Sequence, residues 1–280
     1  MELAGAQALS FDDAADNPVL EPPPGQTPLW PTVVLRALFP IDAELGPLCA
    51  VLTEACSPRA LETAPLDDSK WQNAARASPP RRIGEQLWLS CADDATPAEA
   101  ARFTQVRLHM GLAFGTGEHP TTALCLEWLE RNVREGERVL DYGCGSGVLA
   151  IAALALGAGY AWAVDNDPQA LTATAANAAL NGIGDRLWIG SPADLPPIAA
   201  DVIVANILAK PLELLAPTFR GYLRTRGVAV LSGILAQQRL GVQDAYARHF
   251  DGISSTEREG WVRIEAHASG AAPEPLESSS

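Results

Sequence analysis

The sequence predicts an α/β fold, a mostly parallel sheet covered by helices on both faces, with a small α+β unit ahead of it. Three observations carry this expectation. From about residue 101 onward, short apolar runs alternate with helix-length segments, the pattern of consecutive βαβ units. The run Val139-Leu140-Asp141-Tyr142-Gly143-Cys144-Gly145-Ser146-Gly147 reads as a buried strand entering a tight glycine turn. The first 65 residues hold one strand-like and one helix-like segment only, too little for the same layered sheet.

Within residues 1–65, Pro22-Pro23-Pro24-Gly25 marks a loop and Thr32 to Phe39 a strand. Asp42 to Cys56 is helix-like, with Leu45, Leu48, Cys49 and Leu52 on one face. One strand and one helix cannot cover each other's apolar surface well. The unit is therefore expected to be partial, without an earlier strand and most of a helix. Residues 66–100 are polar and contain Pro79-Pro80-Arg81-Arg82. They read as a linker with one short strand at Gln86 to Ser90.

The main domain is expected over residues 101–267. Its first helix runs from Thr121 to Asn132. Strands are predicted at 138–142, 160–164, 187–190, 201–206 and 227–233, with helices at 148–156, 168–181, 210–223 and 236–248 between them. Gly252 to Ala266 offers a closing hairpin. Residues 268–280, rich in Gly, Ala, Pro, Ser and Glu, read as a disordered tail.

The chain has 280 residues, room for a catalytic domain and a smaller one, and 48% of them are hydrophobic, enough for a sizeable core. A net charge of −14 argues against direct nucleic-acid binding, which needs a basic face, and suits a basic partner. The five cysteines form no Cys-x-x-Cys pair and match no histidine spacing, so no metal is expected. With no signal peptide in view, the expected setting is reducing and cytoplasmic. Tyr142 to Val164 carries no charge, yet glycines punctuate it at both ends, as strand, helix and strand of a buried sheet would require. No membrane span is expected.

The glycine turn points to a nucleoside. Asp165 stands at the tip of the next apolar strand, eighteen residues past Gly147, where a carboxylate can take ribose hydroxyls. Asp167 before Pro168 reads as a helix N-cap. The spacing Gly-x-Gly-x-Gly differs from the Gly-x-Gly-x-x-Gly of a dinucleotide fold, where helix N–H groups meet a pyrophosphate. S-adenosylmethionine, which has no phosphate, fits it better, with Gly143 and Gly145 beneath the cofactor. Upstream, Gly111 to Thr122 is a Gly/Thr-rich loop opening a helix. Thr116, Thr121 and Thr122 offer hydroxyls there, and a helix N-terminus favours a carboxylate. His119 reads as a hydrogen-bonder that steadies the loop. A fully apolar strand, Asp201 to Ala205, ends in Asn206, and ligands of open α/β sheets bind at such carboxyl ends. Asn206 is expected to hold an incoming amine or the cofactor's amino group.

These segments closely resemble the bacterial ribosomal protein L-eleven methyltransferase family. It carries a Phe-Gly-Thr-Gly-x-His-x-Thr-Thr loop, an Asp-x-Gly-Cys-Gly-Ser-Gly turn, a Val-Asp-x-Asp-Pro strand end and an Asn-Ile-Leu-Ala strand end. All four stand here, at 114–122, 141–147, 164–168 and 206–209. The resemblance extends to Asp12–Trp30. It implies a Rossmann-like class I methyltransferase domain behind a small ferredoxin-like domain that captures the substrate. It also implies transfer of methyl groups from S-adenosylmethionine to lysine side chains and the N-terminal amine of one large-subunit ribosomal protein. Matched residue by residue, it places cofactor contacts at Thr122, Gly143, Asp165 and Asn206.

The expected chemistry is in-line attack by a neutral amine on a sulfonium methyl, with orientation and water exclusion as the protein's share. Desolvation beside a positive sulfur would supply the free base. Ile207, Leu208 and Phe114 are candidates to line the apolar approach, and Asn206 to hold the amine. Alternatives are a different protein or small-molecule amine as acceptor, or a cofactor-binding module with eroded catalysis. A nicotinamide oxidoreductase is disfavoured by the glycine spacing. The protein is expected to act as a monomer.

Overall fold

The computed structural model of the chain describes residues 8–13, 32–40, 43–56, 58–64, 80–94, 97–109 and 119–268. It divides into two compact units, Met1–Lys70 and Trp71–Ser280.

In the first unit, β1 (Ala8–Asp13) pairs antiparallel with β2 (Val33–Leu38), Ala8 opposite Leu38 and Asp13 opposite Val33. The strand β1 was not expected. Its sequence alternates Leu9 and Phe11 only once before two aspartates, too short a period-two pattern to stand out. The helix α1 (Gly46–Cys56) starts later than the expected Asp42 and buries none of its residues, so its Leu48, Cys49 and Leu52 face is only half covered.

The second unit opens with β3 (Arg81–Ile83), β4 (Leu87–Cys91) and β5 (Thr104–Leu108), the last two separated by a short 3-10 helix at Ala98–Arg102. β3 and β4 form an antiparallel hairpin, and β5 joins β4 in parallel. The segment expected to be mostly linker is thus part of a three-stranded sheet. Every residue of β4 is buried, and Ile83, Leu87, Leu89, Val106 and Leu108 pack into the same core as the neighbouring helices. Polar composition between the strands concealed this.

The rest follows the expected alternation closely. In chain order come α2 (Pro120–Asn132), β6 (Arg138–Tyr142), α3 (Val148–Ala155), β7 (Tyr160–Val164), α4 (Pro168–Leu180), β8 (Leu187–Gly190) and β9 (Ala200–Asn206). They are followed by α5 (Ala209–Tyr222), β10 (Leu223–Leu235), α6 (Arg239–Tyr246), β11 (Gly252–Arg258) and β12 (Trp261–His267). A short 3-10 turn, Ala236–Gln238, precedes α6, so the expected helix 236–248 is in two parts.

The sheet order is β11-β12-β10-β9-β6-β7-β8. β8, β7, β6, β9 and β10 run parallel, and β12 and β11 close the edge as an antiparallel hairpin. The chain winds from β6 toward β8, then returns to the other side of β6 as β9. The direction of winding therefore reverses between β6 and β9, the place where open α/β sheets bind ligands.

Separate apolar cores cover the two faces. One holds α3 with parts of α2 and the small sheet, the other α5 and α6 with Phe219 and Tyr246. The helix α3 is buried along all but its last residue, sandwiched between the large sheet and its neighbours. That accounts for its uniformly apolar sequence. Among the described residues no helix is long and apolar enough to cross a membrane.

Candidate functional site

The glycine turn after β6 is built almost wholly by hydrogen bonds to its own surroundings. Gly143, Gly145 and Gly147 have φ of 80°, 54° and 79°, the left-handed region that a Cβ would strain. The N–H groups of Gly143 and Cys144 both donate to the Val164 carbonyl at the end of β7, at 2.7 and 3.0 Å. That of Gly145 donates to Asp165 Oδ2 at 2.9 Å, and that of Gly147 to the Cys144 carbonyl at 2.8 Å. Four N–H groups of the turn are therefore already engaged. A pyrophosphate cradle needs such groups turned outward. The turn suits a ligand without phosphate, as the spacing suggested.

Asp165 lies where expected, just past β7. Its Oδ1 accepts from the Asp167 N–H at 3.0 Å while Oδ2 accepts from Gly145. An ionised carboxylate has about four acceptor positions, so roughly two remain. Two vicinal ribose hydroxyls need that number. Asp167 caps α4 through Gln169, at 2.8 Å, in the role read from the sequence.

Beneath the turn, Asp141 is fully buried. Its Oδ2 accepts from the Ala150 N–H at 3.0 Å, and its Oδ1 has no hydrogen-bond partner. Burial pushes its carboxyl up to about 7. Burial also raises the Cys125 thiol to about 12 and lifts Cys144 further still, so neither is poised as a nucleophile.

At the N-terminus of α2, His119 is the N-cap, with Pro120 in the first turn, so the side chain hydrogen-bonds locally as its sequence reading expected. The His119 ring nitrogen Nδ1 lies 3.4 Å from the Thr121 N–H and 2.8 Å from the Thr121 hydroxyl. The Thr122 N–H donates to the His119 carbonyl at 3.0 Å. Both N–H groups therefore have a partner inside the cap, because Pro120 lacks an N–H and His119 serves Thr121 and Thr122. The ring of His119 also meets Trp261 edge-on, 4.6 Å between centroids.

Thr122 is completely buried and faces the end of β9, where Asn206 Nδ2 donates to its hydroxyl at 3.1 Å. Among the described residues no donor reaches Asn206 Oδ1. The structure thus brings together Gly143, Gly145, Asp165, Thr122 and Asn206 at the carboxyl edge of β6, β7 and β9. Ile207 packs over the turn, its Cγ2 only 2.2 Å from where a Gly143 Cβ would stand. Leu208 is 59% exposed at the start of α5. Thr116 and Phe114 lie outside the described residues.

Two residues that sequence reasoning passed over hold the turn from α4. The Thr174 hydroxyl donates to the Gly145 carbonyl at 3.0 Å, and Asn177 Nδ2 to the Ser146 carbonyl at 2.9 Å. Both are fully buried. Asn177 Oδ1 also accepts from the His109 N–H at 2.7 Å. The signal was present: two polar side chains three positions apart, hence on one face, in an otherwise alanine-rich helix.

Comparison with known proteins bears on this site. The profile of the family described as "Ribosomal protein L11 methyltransferase (PrmA)" matches residues 1–269. A ribosomal protein L11 methyltransferase of Pseudomonas paraeruginosa is 48% identical over 264 residues, which cover 93% of this chain and 89% of that protein. One of Methylococcus capsulatus is 45% identical over 266 residues, covering 93% and 90%. The crystal structure of a ribosomal protein L11 methylase from Lactobacillus delbrueckii subsp. bulgaricus superposes with a TM-score of 0.60 at 33% identity, covering 68% of this chain and 98% of that one.

Proposed function

The chain belongs to the ribosomal protein L11 methyltransferase family and is an S-adenosylmethionine-dependent methyltransferase, and from that premise we propose that it methylates lysine side-chain amines and the N-terminal amine of ribosomal protein L11. The observation that carries this reading is the meeting of β6 and β9. A turn unsuited to phosphate stands beside an asparagine whose carbonyl oxygen has no donor among the described residues.

S-adenosylmethionine supplies, when bound, a methyl group on a positively charged sulfur. Gly143 and Gly145 let it approach the backbone, and Asp165 offers its two remaining acceptor positions to the ribose. Thr122 fixes the Asn206 amide by accepting a hydrogen bond from its Nδ2, which directs Oδ1 to accept an N–H of the acceptor amine. A primary amine held by one N–H has its lone pair free to point elsewhere. Ile207 excludes water on the turn side, and a desolvated amine loses its proton more readily. Asn206 cannot take that proton, so it leaves to solvent.

The net charge of −14 favours encounter with a basic ribosomal protein rather than with nucleic acid. Residues 1–65 form the unit we assign to substrate capture, and 101–267 the catalytic domain. We take the protein to act as a monomer, in the cytoplasm.

Incubating the full chain with methyl-labelled cofactor and unmethylated ribosomal proteins tests the reading. A single labelled band at L11, its label on lysine and the N-terminus by mass spectrometry, is expected. Label on another protein, or binding of the cofactor without transfer to purified L11, would overturn it. Asn206→Ala should lower kcat about 100-fold with little change in cofactor affinity. Full turnover by that variant would remove Asn206 from the acceptor side.

A further inference from the structure

The strand end that carries Asn206 depends on a second glycine, in the neighbouring strand. β10 opposes β12 with Leu231 against Ile264 and Ile234 against Val262. Ser232 and Gly233 therefore stand together against Arg263, one extra residue in β10, which makes a β-bulge. The bulge is level with the site, because Ser232 is the parallel partner of Asn206 on the other side of β10.

Gly233 has φ of +84°, and a Cβ there would lie 2.3 Å from the Ile207 carbonyl oxygen, 2.8 Å from its carbonyl carbon and 3.1 Å from its nitrogen. All three are main-chain atoms, so no rotamer change can make room. On the opposite side, the Ile207 side chain fills the space that a Gly143 Cβ would need. Ile207 is thus clasped between two glycines, its backbone by the bulge and its side chain by the turn. Ser232 is completely buried, and its hydroxyl donates to the Val262 carbonyl at 3.1 Å. That bond anchors the bulge to β12 and keeps β10 from sliding away.

We propose that Gly233 is a positioning residue for methyl transfer: the Ser232–Gly233 bulge and Gly143 together seat Ile207, and so hold the adjacent Asn206 amide in register with the glycine turn. The inference rests on the assignment of Asn206 to the acceptor amine. The clasp meets the turn at Gly143, and Asp165, which we give to the ribose, lies beyond it past the end of β7. It therefore governs the distance between the two reactants rather than the affinity for either.

The test is Gly233→Ala in the full chain, read by kcat with L11 and by cofactor Kd from calorimetry. A displaced Asn206–Ile207 segment should lower kcat about 30-fold or more, with cofactor Kd and acceptor KM each within about threefold. Gly260→Ala is the control for backbone strain alone: its φ is +77° and an added Cβ meets nothing within 4 Å. That variant should keep kcat within about twofold. If Gly233→Ala does not fold, Ile207→Ala leaves the bulge intact and removes the side-chain half of the clasp. It should lower kcat about fivefold at unchanged cofactor Kd. The proposal is overturned if Gly233→Ala matches Gly260→Ala in kcat, if its cofactor Kd rises in step with the loss of turnover, or if Ile207→Ala turns over normally. Full activity of Asn206→Ala would instead remove the underlying assignment, a separate result.

Discussion

At the scale of single residues, two aspartates beside the glycine turn have been given different fates by their surroundings. Asp165 is half exposed and takes two backbone N–H groups, which leaves acceptor positions open. Replacing it with alanine should weaken cofactor binding by about 2–3 kcal/mol, roughly 30- to 150-fold, since two hydrogen bonds to a charged group are lost. Calorimetric titration with S-adenosylmethionine measures this, and an unchanged Kd would exclude the ribose role. Asp141 is sealed under the same turn with one oxygen unpartnered, and burial raises it from the ordinary 3.8 to about 7. The folded chain then holds a proton that the unfolded chain has already released between about pH 4 and 7. Stability from this group is present at low pH and falls as pH rises through that window. Asp141→Asn stays neutral and lacks this slope. From pH 5 to pH 8 the melting temperature of Asp141→Asn should rise relative to that of the parent chain. Parallel profiles would show that Asp141 is ionised throughout.

At the scale of elements, α2 is the part that ties the site to the rest of the unit. Its N-terminus presents Thr122 to Asn206, and its C-terminal half is clamped on two sides. Arg258 of β11 makes a bidentate pair with Glu127, at 2.7 and 2.9 Å, which holds the Glu127 carboxyl below its usual range. On the other side, the half-turn between β3 and β4 wraps its amides around Glu130. The carboxylate accepts from the N–H groups of Glu85, Gln86 and Leu87, with Gly84 at φ +59° so that no Cβ collides with it. Glu130→Ala would strand the buried Leu87 amide and the part-buried amides of Glu85 and Gln86. It should cost about 3 kcal/mol or more in urea unfolding, and Glu130→Gln about half of that, because one acceptor oxygen survives. A loss below about 1 kcal/mol for the alanine variant would mean that water replaces the carboxylate. The clamp was not legible in the sequence, where 66–100 reads as a linker with one short strand at Gln86 to Ser90.

At the scale of the whole molecule, the sequence by itself determined the alternation of strands and helices in the large unit, the glycine turn and the strand-end acid and amide. Their signals are local. A strand's apolar run, a glycine that must take a positive φ and a capping aspartate all depend on residues within a few positions of one another. Expected and observed bounds for β6, β7 and β8 coincide for that reason. Only the tertiary structure decided what those residues do once assembled. It turned His119 into the cap of α2, and it paired Asn206 Nδ2 with Thr122, so that among the described residues no donor reaches Asn206 Oδ1. It also placed Thr174, Asn177 and Gly233 around the site from elements distant in the chain. The physical reason is common to all of these. Each depends on which donor, acceptor or backbone atom arrives from elsewhere to fill a buried valence or an empty space, and that partner is set by packing across strands, not by neighbours along the chain.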